Sequence, residues 1–323
     1  MLKIGIIGTG WFSGVHANIL NKMEDVHIMG ICGSSKEKAE KYASNYPNAT
    51  GYGDVKEMLD RENLDAVYIC IPPFAHGEIE LELINRGIPF LVEKPLSVDL
   101  DIPDEILRKL KDQPVITSVG YHFRYRESID TLKNELNLST IGMITGSWMG
   151  SMPGVYWWRN QETSGGQFIE QTTHLVDLLR YTVGEVREVY AAYGSRSLPS
   201  RYEDVTVSDI GTVTLKFTNG VIANLSNTCI LPEGDSKNGL DYYTDKGILQ
   251  LGFDTLKTSK KGEIIVKEDT TDPYVKENEA FLHAVRTGDT SKILSTYEDA
   301  YKTQEITVAA LRSAKEGLPV KIS

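Results

Sequence analysis

A chain of 323 residues with 41% hydrophobic content is long enough for two domains, each with its own core. Its 34 basic and 45 acidic residues leave a formal charge of −11 with no basic block, which argues against nucleic acid and anionic membranes as partners. The amino terminus MLKIGIIGTG lacks a signal-peptide apolar region, no stretch is long enough to span a bilayer, and Cys32, Cys70 and Cys229 form no CxxC, so buried free thiols in a reducing cytoplasm are expected.

The runs KIGII (3–7), VHIMGIC (26–32), AVYICI (66–71), PFLVE (89–93) and VITSVG (115–120) predict strands. Helical patterns lie between them, near 14–22, 36–46, 54–60, 75–86 and 101–111. Asp54 stands where an N-cap belongs, and Gly87 where a helix ends. Nearly continuous apolar strands alternating with helices predict a doubly wound parallel sheet covered on both faces.

Beyond residue 120 the pattern changes. A helical run at 167–183 precedes long alternating strands. Val213, Leu215 and Phe217 alternate, Asn219-Gly220 is a strong hairpin signal, and Val221, Ala223 and Leu225 alternate on its far side. Strand-like pieces fill 240–267, and helices at 274–287 and 297–316 close the chain. The expectation is an α/β domain over 1–120, then an α+β domain over 121–323 on an open, largely antiparallel sheet. One face of such a sheet is free to pack on another subunit.

The segment GIIGTGWFSG puts Gly8 and Gly10 directly after the first strand, with Ser13 opening a helix. Gly8 permits a tight turn, and Gly10 lets the backbone approach a pyrophosphate that the helix amides face. Ser13 replaces the third glycine of GxGxxG, and the strand–turn–helix context is the one that supports dinucleotide binding. The second strand ends in ICGSSKEKA. Gly33 occupies the place of the carboxylate that usually meets a free ribose 2′-hydroxyl, and Ser34, Ser35 and Lys36 follow. This weights the cofactor slightly toward NADP over NAD, a capping serine and a solvated lysine being the competing reading of the same residues.

Two further stretches carry chemistry. In EQTTHLVD, a continuous helix would place Glu170, His174 and Asp177 on one face. An imidazole beside a carboxylate suits removal of a hydroxyl proton, and an exposed helix pair or a metal face are the competing readings. No other Cys/His spacing supports a metal, and none is expected. In VYWWRN (155–160), Trp158 and Arg159 follow two other aromatics, suited to sugar C–H faces and hydroxyls or equally to a packing cluster.

With IPPFAH (71–76), FLVEKPLS (90–97), VGYHFRY (119–125), SGGQFIEQTTHLVDLLRYTVGEV (164–186), ENEAFLHAVRTG and SAKEGLPV, the chain resembles the Gfo/Idh/MocA family of glucose–fructose oxidoreductases and inositol dehydrogenases along nearly its whole length. The resemblance implies a Rossmann domain and NAD(P)-linked oxidation or reduction of sugars, polyols or cyclitols by homodimers or homotetramers assembled through the C-terminal sheet. It implies that Lys94 is the catalytic lysine, that Glu93 touches the nicotinamide ribose, and that Lys94–Pro95 is cis. It adds Trp11, Phe12, Pro72 and His76 to the cofactor site, and Tyr121, His122, Arg124, Gln171 and His174 to the substrate site. Where the family commonly has Asp, this chain has Glu170, which leaves open whether that carboxylate orients the imidazole or touches substrate. A glycoside hydrolase working through transient oxidation and a non-catalytic sugar or dinucleotide sensor are the rival functions on the same fold.

Overall fold

The computed structural model describes residues 1–322. Residues 1–97, 101–125 and 273–301 form one compact unit; residues 98–100, 126–272 and those from 302 on form another. The first unit therefore recruits a segment from near the end of the chain.

In that unit a helix follows nearly every strand. The elements are β1 (Leu2–Ile7), α1 (Trp11–Leu20), β2 (Val26–Cys32), α2 (Lys36–Ala43), β3 (Thr50–Tyr52), α3 (Val55–Arg61), β4 (Ala66–Ile69), α4 (Glu78–Arg86), β5 (Phe90–Val92), α5 (Asp101–Asp112) and β6 (Thr117–Val119). The strands form one parallel sheet in the order β3-β2-β1-β4-β5-β6. This is the doubly wound Rossmann arrangement expected from the apolar runs. Asp54 caps α3 by accepting from the Glu57 amide, and Gly87 ends α4 in the left-handed conformation at φ 69°. Helix α1 starts at Trp11 rather than near residue 14, because extended Gly10 ends the turn at once. The short β3, with Gly51 inside it and Gly53 directly after it, has no apolar run to announce it.

Alternate residues of each strand serve opposite faces. Ile4, Ile6, Ile28, Ile31, Tyr68 and Leu91 pack with Ala17 and Leu20 of α1. Phe281 and Leu282 join this layer from the late segment. Ile7, Val67, Ile69, Phe90 and Val92 pack with Met58, Leu83, Ile84 and Ile106 on the other face, together with Tyr297. The late segment is thus part of the covering layer. Fully burying a side chain such as Phe281 is worth about 1.5–3 kcal/mol. The three cysteines are buried free thiols.

The second unit contains α6 (Glu127–Asn137), β7 (Ile141–Met149), α7 (Gln161–Ser164), α8 (Gln167–Glu170), α9 (Thr173–Val183), β8 (Val186–Gly194), α10 (Leu198–Arg201), β9 (Ile210–Phe217) and β10 (Ile222–Thr228). It continues with β11 (Lys237–Thr244), β12 (Gly247–Leu251), β13 (Thr255–Lys260) and β14 (Glu263–Glu268). Helix α11 (Pro273–Thr287) belongs to the first unit, and α12 (Tyr297–Glu316) and β15 (Val320–Lys321) end the described chain. The sheet runs β14-β13-β12-β11-β7-β10-β9-β8-β15, and only the β7–β10 pair is parallel. Asn219-Gly220 makes the β9–β10 turn, with Gly220 at φ 91°. Pairing aligns Ile222 with Met143, Met143 with Tyr243, and Tyr243 with Ile248. All four are exposed, so an apolar row crosses four strands on the open face. Among the described residues, no helix is long and apolar enough to cross a membrane.

The single helix expected over 167–183 is broken. The Thr172 amide reaches back to the Gln167 carbonyl at 2.9 Å, one residue further than an α-helix requires, and the His174 amide then bonds Gln171. Gln171 sits at φ −113°, ψ −53°, and two β-branched threonines follow it. Glu170 therefore ends α8, whereas His174 and Asp177 lie on α9. The common helix face of all three residues is corrected accordingly.

Candidate active site

The nucleotide end of the first unit is built by the β1–α1 turn. Gly8 has φ 114°, and a Cβ there would lie 2.1 Å from the Cys70 carbonyl oxygen, so only glycine fits. A Cβ on Gly10 would meet nothing within 4 Å, leaving the backbone open to a ligand. No side chain caps α1, and no acidic residue stands in its first turn. Amides of Trp11, Phe12 and Ser13 thus begin a helix with no carboxylate competing for an anion. These features fit a dinucleotide pyrophosphate.

At the end of β2, a Cβ on Gly33 would meet Thr9 and Ala39 at 3.1–3.3 Å. Ser35 caps α2 by accepting from the Lys38 amide, which leaves its hydroxyl proton available. Lys38 Nζ donates to Ser34 Oγ at 3.2 Å, while Lys36 pairs loosely with Glu40 at 3.9 Å. Lys38 is a basic group the sequence reading passed over. Asp54 is another omission. Burial pushes the Cys32 thiol up to about 11, and the charge of Asp54 adds to that shift. Cys32 pairs with Tyr52 across the sheet, and Asp54, the cap of α3, follows Tyr52 by two residues, so a carboxylate stands near this strand end.

Strand β5 delivers Glu93 and Lys94, both buried, and the Lys94–Pro95 peptide is cis. Lys94 Nζ lies 5.4 Å from the centroid of the Phe12 ring. Pro72 precedes a single 3₁₀ turn, Pro73–Ala75, and leads to His76. His76 Nδ1 is 2.5 Å from Glu80 Oε1, and Glu80 also accepts from the Gly77 amide at 2.7 Å. Burial alone would raise the Glu80 carboxyl, but His76 and the Gly77 bond hold it below its usual value.

Three expected substrate contacts have structural work in the first unit. Tyr121 is fully buried. His122 stacks on Tyr274 at 3.9 Å, and Arg124 donates to the Leu294 carbonyl and pairs with Asp299 at 2.6 Å. His122 and Arg124 thereby help to hold the late segment.

In the second unit, Gly165 and Gly166 both take positive φ and turn the chain into α8. Glu170 Oε2 accepts from Trp158 Nε1 at 3.0 Å. His174 is buried, its ring stacked on Trp148 with centroids 5.8 Å apart. Asp177 accepts from Thr303 Oγ1 at 3.1 Å, and that hydroxyl accepts from Arg180 at 2.9 Å. Gln171 Oε1 accepts from Gln167 Nε2, and Gln167 is held in turn by Asn227. Arg159 lies between the rings of Tyr156 and Tyr202, at 5.4 and 4.9 Å. Trp158 itself is buried with Leu198, Val207 and Cys229, which favours the packing reading of that tryptophan.

Residues 2–121 match the family described as an oxidoreductase family with an NAD-binding Rossmann fold, and residues 134–250 match the GFO/IDH/MocA C-terminal domain. The chain belongs to the Gfo/Idh/MocA oxidoreductase family. Its Gfo/Idh/MocA relatives include the myo-inositol 2-dehydrogenase of Thermotoga maritima, 25% identical, with 99% of this chain and 98% of that protein aligned. The NAD⁺-dependent scyllo-inositol 2-dehydrogenase of Bacillus subtilis is 24% identical over 99% of this chain and 96% of its own length. The crystal structure of myo-inositol 2-dehydrogenase from Lactobacillus plantarum has a TM-score of 0.85 at 24% identity, covering 100% of this chain and 99% of that one. This Gfo/Idh/MocA chain is accordingly an NAD-binding oxidoreductase with a Rossmann domain.

Proposed function

We propose that this family member oxidises a secondary hydroxyl of a sugar, polyol or cyclitol, or reduces the matching ketone, with a nicotinamide dinucleotide. The observation that carries the reading is Lys94: the residue is 7% exposed, follows the carboxyl end of β5, and has its Nζ 5.4 Å from the centroid of the Phe12 ring in the nucleotide turn. Carboxyl ends of doubly wound strands are where ligands bind, and a desolvated cation there stabilises a developing alkoxide. The names of the inositol dehydrogenase relatives support the substrate class.

In this reading the bound nicotinamide supplies the hydride acceptor or donor. Gly8, Gly10 and the amides of Trp11, Phe12 and Ser13 hold its pyrophosphate, Glu93 its ribose, with Pro72 and His76 bordering the same sheet end. His174 takes the hydroxyl proton, its ring orientation fixed by Trp148. Glu170, tethered by Trp158, is the supporting carboxylate. Gln171 is the substrate contact that the second unit holds in place through Gln167. The test is reduction of NAD⁺ and NADP⁺ across a panel of sugars, polyols and inositols. Release of nitrophenol from aryl glycosides without net cofactor reduction would replace this reading with a hydrolase.

For the cofactor, Ser34, Ser35, Lys36 and Lys38 are proposed to give NADP a modest preference, which Asp54 offsets in part. Gly33→Asp is expected to shift the ratio of kcat/KM for NADP over NAD toward NAD by about tenfold, through like-charge repulsion of the 2′-phosphate. Gly33→Ala serves as the reference, because any side chain here displaces Thr9 or Ala39 by a few tenths of an ångström. An unchanged ratio between the two variants would show that this strand end does not select the cofactor.

The exposed row Ile222, Met143, Tyr243 and Ile248 is the proposed self-association face. Light scattering should then report a multiple of 36.0 kDa, and a monomer would remove the proposal.

A further inference from the structure

We propose that His16 is a positioning residue. Neutral, with its proton on Nε2, it fixes the Glu93 carboxylate so that Oε2 is left to accept a hydrogen bond from the bound dinucleotide. The inference rests on the dinucleotide reading of the β1–α1 turn. It adds to that reading two residues from opposite ends of the sequence, His16 and Asn278.

His16 is completely buried on α1, and both ring nitrogens are engaged. Nε2 lies 3.0 Å from Glu93 Oε1. On the other side, Nδ1 lies 3.0 Å from Asn278 Nδ2 and 3.3 Å from Asn278 Oδ1. The Tyr274 carbonyl decides which of these contacts is the bond. It can only accept, and Asn278 Nδ2 stands 2.7 Å from it, which sets the orientation of the amide. An amide nitrogen has two protons, one for Tyr274 and one for His16 Nδ1. A ring whose Nδ1 accepts keeps its single proton on Nε2, where it is donated to Glu93. The rings of Tyr68 and Tyr274, 5.2 and 6.1 Å away, pack around the imidazole.

The carboxylate so held is half satisfied. Glu93 is 3% exposed, Oε1 has His16, and Oε2 is buried without a protein donor. A buried acceptor left unmet is costly, and such an atom at a ligand-binding sheet end marks the place of a donor that arrives with the ligand. Gly120 keeps room for it. A Cβ there would stand 2.7–2.9 Å from the Glu93 carboxyl group and displace it. A ribose hydroxyl or a carboxamide N–H of the nicotinamide half has the required chemistry.

The experiment is titration of purified full-length protein with NAD⁺ by intrinsic fluorescence, with thermal melts recorded without ligand. His16→Leu should raise Kd about tenfold, the loss of a bond to a charged group. Glu93→Ala should do the same, and the double variant should bind no more weakly than Glu93→Ala alone, because His16 acts through Glu93. His16→Gln offers an N–H near the place of Nε2 and should return Kd to within about threefold of wild type, although it melts as low as the Leu variant. Gly120→Ala, which leaves His16 intact, should reproduce the loss. An unchanged Kd in His16→Leu and Gly120→Ala, additive effects in the double variant, or a Gln variant no better than Leu would overturn the assignment. If wild type binds neither NAD⁺ nor NADP⁺, the dinucleotide reading itself falls and this inference with it.

Discussion

Lys94→Ala is expected to bind NAD⁺ within a few-fold of wild type and to lose about 10²–10³ in kcat, the usual effect of removing one electrostatic group from a transition state. The proposed pyrophosphate cradle is backbone, made by Gly8, Gly10 and the first turn of α1, so it does not need the ammonium. The side chain is nearly buried beside Phe12, and its removal leaves a gap. The ligand-free melting temperature should therefore be recorded alongside kcat, KM and Kd. A variant with near wild-type kcat on the best substrate of the panel would take Lys94 out of the chemistry. A variant that loses kcat and cofactor binding together would make Lys94 part of the binding site rather than of the alkoxide's stabilisation.

His174→Ala should be still more damaging in the oxidative direction, about 10²–10⁴, since it removes the proposed proton acceptor. The sign of the pH dependence follows from the chemistry. Only the neutral imidazole accepts a proton, so oxidation should speed up as pH rises through the imidazole's titration. Ketone reduction, which needs the protonated ring, should behave in the opposite way. The variant should lose that dependence. Glu170→Gln should be milder, because an amide oxygen can still accept from Trp158 Nε1 while the charge is lost. A flat profile for wild type, with an isotope effect showing that hydride transfer limits the rate, would assign the proton to another group.

The parallel sheet was legible because each strand is a short apolar run and each crossover an amphipathic stretch between turn signals. Gly8 and Gly10 were legible for a related reason. A positive φ and an open approach leave few alternatives to glycine, so the backbone requirement is written directly in the residue type. The Asn219-Gly220 turn and the caps Asp54 and Gly87 belong to the same class of local determinants. The adjacent Glu93 and Lys94 were conspicuous at the end of an apolar strand, and the family pattern supplied their proposed roles.

Distant contacts escaped that reading. The break at Gln171 depends on a carbonyl of Gln167 shared by two amides, and the side chain of Gln167 is itself fixed by Asn227 on β10. Helical periodicity over 167–183 contains no trace of that tie, so Glu170 and His174 looked like neighbours on one face. The bond of Arg124 to the Leu294 carbonyl and its pairing with Asp299 were likewise invisible, because both partners lie about 170 residues further along the chain. Lys38 and Asp54 were overlooked at the end of β2 because neither follows the strand at the customary offset.

Adjacent residues alone enforce the alternating strands and helices, the glycine turn, the hairpin and the charged pair that closes β5. Only the tertiary structure decided that residues 273–301 return to the first unit, where Phe281 and Leu282 complete a face of its sheet and Asn278 meets His16. The reason is physical. A turn or a cap is fixed by dihedral preferences within a few residues, whereas burial of an apolar face and the choice of a histidine tautomer depend on whichever distant group supplies the complementary surface or hydrogen bond.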